Sequence, residues 1–385
     1  MNRISLIHPY AGVDWKDDSA IFAIELAHRL DNHFEVELLC GAECGSLSRP
    51  LKSILGSDIS PQANSMFSSS LLSKWFNNSR IALENLTSFI DCVTYLLHNP
   101  TDLILSHNGY ESLLLANLIR EIKGTPIIHT QHQNLLCEPK YLLRNLALEP
   151  EHLICLNPLV SDYVHRLSPQ QSVDTIPYGI DLAEFCPEGK AITTGLSQPC
   201  ILTVASLDYD CQQRLELTIE AVSRLRDASL SVCGEGNNRD YFQSLGDRLL
   251  GSQRFQIKSF AYAQMPQVYR SADIFTCAAT QVSGGIKYLE AMACGLPVVA
   301  TDDAVRRYLI GDGGLTCDVT DLDGYANSLQ DTWDERRYWK QPRQNAIRFD
   351  WHDITLRYCK AIQKTINGSN SRVTALSWDH SANEF

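Results

Sequence analysis

Short apolar runs alternate with helix-like segments along most of the chain, and this alternation restricts the fold more than any other feature of the sequence. In the first half, the runs ISLIHPY, FEVELLC, DLILSHN, PIIHTQH and HLICLN are separated by segments such as SAIFAIELAHRL and SLLLANLIREI. Strand, helix and strand at this spacing form βαβ units, in which parallel strands make a sheet that helices cover. The sequence therefore predicts an α/β protein.

The alternation is interrupted at residues 174–187, DTIPYGIDLAEFCP, where Pro177, Gly179 and Pro187 break the pattern. A second alternating series follows, with the runs CILTVASL, ASLSVCGEG, FQIKSFAY, DIFTCAA and PVVATDD. Two series of this kind predict two doubly wound, Rossmann-like domains. Ligands of such sheets bind at the carboxyl ends of the strands, so we expect the domains to face each other across a binding cleft.

These breaks give the predicted boundaries. The first domain spans residues 1–175 and the second spans 176–346. The amphipathic run in 347–367 predicts a helix, and the polar, aperiodic tail 368–385 predicts disorder.

Composition excludes several classes of function. The 385 residues carry a formal charge of −12, which argues against a nucleic-acid partner. The 13 cysteines are odd in number and scattered, which indicates a reduced, cytoplasmic protein and disfavours a zinc site. No apolar run is long enough to predict a transmembrane segment.

The stretch SGGIKYLEAMACGLPVVAT, residues 283–301, is the strongest indication of a binding site. Glycines allow the backbone to approach a ligand closely, and the first turn of a helix directs N–H groups and partial positive charge outward. We therefore predict that the backbone N–H groups of Gly284, Gly285 and Ile286 bind an anion. The carboxylate of Glu290 lies one turn further along.

Several segments together resemble glycosyltransferase family 4. These segments are LEAMACGLPVVAT, IPYGIDLAEFCP, MPQVYRSADIF and IGDGGLTCDVTD, and the match is densest over residues 174–330. The resemblance implies a retaining glycosyltransferase with the GT-B fold, which transfers a sugar from a nucleotide diphosphate sugar to a sugar, lipid or small-molecule acceptor. It implies no metal or other cofactor, and a C-terminal helix that crosses back to the first domain. Peripheral contact with a membrane stays open.

The resemblance also implies roles for single residues. Glu290 would hold the ribose hydroxyls of the donor, and the alternative is a carboxylate that stabilises an early helical turn. His132 would face the sugar, and His107, at the end of the preceding predicted strand, could line the same site. Either histidine could instead be an ordinary loop residue. Gly12, in a loop that reads Ala-Gly instead of the usual Gly-Gly, would approach the donor phosphates.

The second domain departs from the family pattern at three positions. Ser206 and Gln213 replace an arginine and a lysine that neutralise the diphosphate, and Val282 replaces a glutamate that contacts the sugar. We hypothesise that Arg214 and Lys287 supply the missing positive charge, although Lys287 could equally extend into solvent.

The same departures keep other functions open. One is a GT-B-shaped binding or regulatory protein without catalysis, and another is an epimerase or phosphorylase on the same scaffold. Asp208-Tyr209-Asp210 spells the D-x-D of metal-dependent glycosyltransferases, a weak signal that the family resemblance does not support.

Overall fold

The computed structural model describes residues 1–12, 18–51, 79–107, 109–132, 139–208, 213–280, 285–335 and 341–381. The chain divides into two compact units. The first contains Met1–Ile176 and Thr355–Phe385, and the second contains Pro177–Ile354. The change from the first unit to the second lies within the segment where the apolar alternation breaks.

The first unit contains a seven-stranded sheet within the described residues, in the order β3-β2-β1-β4-β5-β6-β7. Its strands are β1 (Arg3–His8), β2 (Glu35–Cys40), β3 (Ser48–Pro50), β4 (Leu103–His107), β5 (Ile127–Gln131), β6 (His152–Cys155) and β7 (Val173–Thr175). Its helices are α1 (Asp18–Leu30), α2 (Ser79–His98), α3 (Tyr110–Lys123), α4 (Pro139–Leu146) and α5 (Pro158–Leu167). All the strand pairs are parallel. The strand order reverses between β1 and β4.

The second unit repeats this design, and its described part contains six strands in the order β10-β9-β8-β11-β12-β13. Its strands are β8 (Cys200–Val204), β9 (Ser229–Cys233), β10 (Phe255–Lys258), β11 (Ile274–Cys277), β12 (Val298–Thr301) and β13 (Gly314–Cys317). Its helices are α6 (Leu215–Ser223), α7 (Arg239–Leu249), α8 (Met265–Tyr269), α9 (Ile286–Ala293), α10 (Ala304–Ile310), α11 (Leu322–Glu335) and α12 (Gln341–Ala346), with 3-10 turns at Tyr262–Gln264, Gly311–Gly313 and Ile347–Phe349. The order reverses between β8 and β11.

The central strands are buried along their whole length because helices cover both faces of each sheet. Every residue of β4, β5, β9 and β11 is buried. A strand buried on both faces is rich in apolar residues, which is why these strands are visible in the sequence.

The last helix, α13 (Trp351–Ser381), differs from the sequence-based expectation. We expected a helix over 347–367 and disorder over 368–385, but the helix continues to Ser381. Its packed part lies against the first unit, where Tyr358 Oη is 3.2 Å from Thr130 Oγ1. Once a packed segment has formed a helix, each further residue adds a hydrogen bond without a new nucleation cost, so polar residues can extend it.

The structure gives a packing reason for the glycine at position 12. Gly12 has φ 79°, and a Cβ atom there would collide with the carbonyl group of Ala42, in the loop after β2. Close approach of these two loops therefore requires glycine whether or not a ligand binds nearby.

Gly12→Ala is expected to lower the free energy of unfolding by about 2–3 kcal/mol, from left-handed backbone strain plus the clash with Ala42. Gly124→Ala is the matched control, since Gly124 has φ 73° and open space where its Cβ would lie. The control should cost only about 1 kcal/mol. Equal losses in denaturant titrations of the two variants would show that the clash has no effect.

Candidate functional site

The predicted anion-binding helix is α9, and it follows β11 at the point where the strand order of the second sheet reverses. Gly285 precedes the helix in a left-handed conformation, with φ 67°. The helical hydrogen bonds begin with Tyr288 N donating to Gly285 O at 3.0 Å, so the amides of Ile286 and Lys287 point out of the first turn. Gly284 and Val282 lie outside the described residues.

Glu290, in the second turn of α9, is bound by two tyrosine hydroxyls. Tyr262 Oη donates to Oε1 at 2.8 Å and Tyr269 Oη donates to Oε2 at 2.7 Å. The glutamate is only 3% exposed. Burial, and then the adjacent carboxylate, raise the pKa of Tyr269 well above its usual value, so its hydroxyl stays protonated and donates. The two tyrosines fix the direction of the carboxylate.

Arg306 anchors the same region, although no sequence pattern had indicated it. Its side chain is fully buried. Its guanidinium pairs with Asp303, donates from Nε to Tyr288 Oη at 3.0 Å and donates from Nη2 to Ala279 O at 2.5 Å. Asp303 also caps α10 by accepting from Arg306 N at 2.8 Å. One side chain therefore joins α10 to α9 and to the residues that follow β11.

The loop after β8 approaches the same edge of the sheet, because β8 and β11 are neighbours. Ser206 Oγ donates to Asp208 Oδ2 at 3.1 Å, and Asn237 N donates to Asp208 Oδ1 at 2.9 Å. Asp208 therefore ties this loop to the turn after β9. Tyr209 and Asp210, the rest of the D-x-D triplet, lie outside the described residues.

Arg214 and Lys287, which we expect to supply positive charge for the diphosphate, belong to different parts of the second unit. Arg214 precedes α6 in a left-handed conformation with φ 49°. Hydrogen bonds from Thr320 lower the pKa of Asp318, and the positive charge of Arg214 lowers it further by a smaller amount. Gln213 beside it is half-buried. Lys287 is half-buried on α9 and lies near Cys233. Burial raises the pKa of the Cys233 thiol to about 11, and the positive charge of Lys287 partly opposes this rise.

In the first unit, histidines stand at the carboxyl ends of three adjacent strands. His8 ends β1, His107 ends β4, and His132 directly follows β5. His107 Nδ1 lies 2.9 Å from His132 Nε2, and the two ring centroids are 5.1 Å apart. His8 Nε2 lies 3.1 Å from Ser19 Oγ at the start of α1. The structure therefore brings together the two predicted histidines and adds His8, which sequence reasoning missed.

A second cluster of buried polar side chains lies within β4, β5 and α4. His129 Nδ1 is 3.1 Å from Ser106 Oγ, and His129 Nε2 is 3.1 Å from Asn145 Nδ2. Burial lowers the pKa of His129 to about 3, so it is neutral. Asn145 also donates to Gln131 Oε1 at 2.7 Å. These bonds connect α4 to β4 and β5 and hold the strand ends in place.

Within the described residues, no helix combines the length and hydropathy needed to cross a lipid bilayer.

Comparison with known sequences identifies the second unit. Residues 198–335 match the family model described as glycosyl transferases group 1. The chain is 27% identical over 265 residues to an alpha-monoglucosyldiacylglycerol synthase of Streptococcus pneumoniae, a match that covers 60% of this chain and 57% of the relative. It is also 27% identical over 277 residues to a phosphatidyl-myo-inositol mannosyltransferase of Mycolicibacterium smegmatis, covering 67% of this chain and 70% of the relative.

Solved structures show the same architecture over nearly the whole chain. A sucrose-phosphate synthase from Thermosynechococcus elongatus aligns with a TM-score of 0.77 at 17% identity, covering 96% of this chain and 100% of that chain. Anabaena HepE in complex with UDP and glucose aligns with a TM-score of 0.70 at 14% identity, covering 94% and 100%.

Two doubly wound parallel sheets, with a glycine-led helix at the reversal point of the second, give the chain the GT-B fold. Within this architecture, residues 198–335 match the glycosyl transferases group 1. The predicted fold and the predicted family are confirmed.

Proposed function

We propose that this protein transfers a sugar from a nucleotide diphosphate sugar to an acceptor hydroxyl with retention of anomeric configuration. The bond between the anomeric carbon and the β-phosphate oxygen breaks, and a bond from that carbon to the acceptor oxygen forms on the same face. The acceptor proton leaves with the diphosphate. The observation that carries the proposal is the position of α9, whose first-turn amides lie at the reversal point of the second sheet, with buried Glu290 one turn later.

In this proposal the amides of Gly284, Gly285 and Ile286 stabilise the negative charge that develops on the departing diphosphate. Glu290 accepts hydrogen bonds from the ribose hydroxyls. Two carboxylate oxygens can accept about four hydrogen bonds, so the ribose does not have to displace both tyrosines. His132 contacts the sugar, and Gly12 lies near the donor phosphates. The chemistry proposed here uses no metal ion.

The names of the relatives bear on the acceptor. One relative is called a synthase of a glucosylated diacylglycerol and another a mannosyltransferase for phosphatidyl-myo-inositol. The proposed acceptor is therefore a hydroxyl group of a sugar, a lipid or a small molecule. With a lipid acceptor, a cytoplasmic protein would have to bind at the membrane surface.

The proposal is tested by measuring thermal stabilisation with a panel of nucleotide diphosphate sugars, followed by a transfer assay on each one that stabilises. A ligand at a hundred times its Kd should add about 2.7 kcal/mol to the free energy of unfolding. The anomeric configuration of the product, read by NMR, tests retention. Stabilisation without hydrolysis or transfer would support the non-catalytic alternative, and no stabilisation by any donor would contradict the proposal.

We further propose that Lys287 and Arg214 supply the charge that Ser206 and Gln213 lack. Lys287→Ala is then expected to weaken binding of a nucleoside diphosphate by about 10- to 100-fold, since a hydrogen bond to a charged group contributes about 1.5–3 kcal/mol. Calorimetric titration measures the affinity. Lys190→Ala is the control, because it removes the same charge from an exposed position of the same unit. Equal affinities in the two variants would exclude Lys287 from the site.

A further inference from the structure

The carboxylate of Glu290 is bound by two tyrosines that differ in their exposure to solvent. Tyr269, at the end of α8, is fully buried and donates to Oε2 at 2.7 Å. Tyr262, on the 3-10 turn that precedes α8, is 43% exposed and donates to Oε1 at 2.8 Å. One partner of the carboxylate therefore belongs to the interior of the second unit, and the other belongs to its surface.

Tyr262 lies where a ligand from solvent would have to approach Glu290. Residues 261–264 are all exposed, whereas Glu290 is only 3% exposed. A carboxylate can accept about four hydrogen bonds, so Glu290 has the capacity to bind ribose hydroxyls while both tyrosines remain bound. Capacity does not give access, because a buried oxygen is reached only when a group that covers it moves. Within the described part of the chain, Tyr262 is the exposed side chain bonded to this carboxylate.

Tyr262 is also easier to displace than Tyr269. The ring of Tyr269 packs between Phe185 and Phe275, with centroid distances of 6.2 and 5.8 Å, so moving it would open a cavity in the core. The ring of Tyr262 lies 6.1 Å from Phe185 and is otherwise close to solvent. A hydroxyl that leaves Oε1 on this side bonds to water instead, which offsets much of the lost contact. A ligand that reaches Glu290 therefore displaces Tyr262 and leaves Tyr269 in place.

We propose that Tyr262 is a displaceable positioning residue, whose hydroxyl holds Oε1 of Glu290 in the free protein and gives up that oxygen to a ribose hydroxyl on binding. This role rests on the proposed function, in which Glu290 binds the ribose of the donor. The exchange replaces one hydrogen bond of the carboxylate with another, while Tyr269 holds Oε2 throughout. Tyr262 returns to Oε1 when the nucleoside diphosphate product leaves, so it competes with the ribose and speeds release.

Removing the hydroxyl should make the nucleotide bind more tightly. A contact that must break before binding lowers the apparent affinity by the fraction of molecules in which it is already broken. A hydrogen bond to a charged group is strong enough to reduce that fraction to about one in ten. Tyr262→Phe keeps the ring on Phe185, and we expect it to bind a ribonucleoside diphosphate about 10-fold more tightly than the wild type in calorimetric titration. Stopped-flow measurement should show that the variant releases this ligand more slowly.

Two other tyrosine variants provide the comparison. Tyr269→Phe removes a hydroxyl that orients the carboxylate both before and after binding, so it should weaken binding. Tyr241→Phe removes the hydroxyl of a tyrosine that is 51% exposed on α7, and it should leave the affinity unchanged. A merely structural role of Tyr262 predicts equal or weaker binding when its hydroxyl is removed. Either of those results for Tyr262→Phe would overturn the proposal.

A nucleotide without ribose hydroxyls tests whether the effect acts through Glu290. A 2′,3′-dideoxynucleoside diphosphate has no hydroxyl to donate to Oε1, so the wild type and Tyr262→Phe should bind it with equal affinity. The same gain in affinity for the ribo and dideoxy ligands would contradict the proposal, because the tyrosine would then not compete with the ribose.

The outcomes distinguish this inference from the proposed function. If the wild type binds no ribonucleoside diphosphate, the proposed function fails and this inference fails with it. If the wild type binds one and Tyr262→Phe does not bind it more tightly, only the inference fails. A crystal structure of the wild type with a bound ribonucleoside diphosphate needs no variant, and it should show a ribose hydroxyl at Oε1 with Tyr262 turned away. A Tyr262 hydroxyl still bonded to Oε1 beside the ribose would overturn the inference.

Discussion

Replacing Arg306 with methionine is expected to lower the free energy of unfolding by about 3–5 kcal/mol, the usual cost of removing one partner from a buried ion pair. Methionine fills much of the same volume but cannot pair with Asp303. The variant would leave the partly buried carboxylate of Asp303 without its cation, and the carbonyl of Ala279 and the hydroxyl of Tyr288 without their donor. Urea titration followed by fluorescence measures the loss.

Arg307→Met is the control for this experiment. Arg307 is the next residue of α10 and pairs with Asp302 on the surface, where its side chain is 62% exposed. Exposed ion pairs contribute little because water and salt screen them, so we expect the unfolding midpoint to stay within error of the wild type. A similar midpoint for the two variants would mean that the Arg306 network does not stabilise the unit.

Replacing Glu290 with glutamine is expected to weaken binding of a nucleoside diphosphate by about 100-fold or more, because two charge-assisted hydrogen bonds to the ribose become weaker or change direction. The shape of the side chain is retained, and Tyr262 and Tyr269 can rotate their hydroxyls to meet an amide. Melting of the variant should therefore show a folded protein. Calorimetric titration with a ribonucleoside diphosphate measures the affinity.

A second ligand makes this test specific for the ribose. The wild type should bind the 2′-deoxy form of the same diphosphate about 10- to 100-fold more weakly than the ribo form. Glu290→Gln should bind the two ligands with nearly equal affinity, since its contact with the hydroxyl is already impaired. If the variant discriminates between them as strongly as the wild type, Glu290 does not hold the ribose.

The sequence was sufficient to predict the fold because its central strands are buried on both faces. Strands such as β4 and β5 begin with apolar residues and are buried throughout, and the helices between them show the period of a helix with one buried face. The glycines before Ile286 and the short run that follows likewise locate α9 closely. The extension of α13 to Ser381 could not be predicted, because its polar residues lack the apolar period that marks a packed helix.

The site was less accessible to sequence reasoning, because its contacts depend on strand order. His8, His107 and His132 lie far apart in the chain and meet because β1, β4 and β5 are neighbours. The pairing of strand-end histidines was a usable signal, since both ISLIH and LILSH end in this residue. The tyrosine contacts of Glu290 gave no such signal.

Arg306 shows the same limit within a single helix. The run DDAVRRYL contains two adjacent arginines, and only the rotation of α10 against the sheet decides that Arg306 is buried while Arg307 is exposed. Successive residues of an α-helix are rotated by about 100° around its axis, which places the two side chains on different faces.

Burial lowers the pKa of His107 and of His132 well below the usual value, and their neutral rings have a consequence for the effect of ionic strength. Uncharged imidazoles hold a ligand by hydrogen bonding and fit, and dissolved ions barely screen such contacts. A diphosphate held by Lys287 would respond to added potassium chloride, whereas a sugar held by His132 would not. Binding of a diphosphate and binding of a sugar would then differ in their sensitivity to electrolyte.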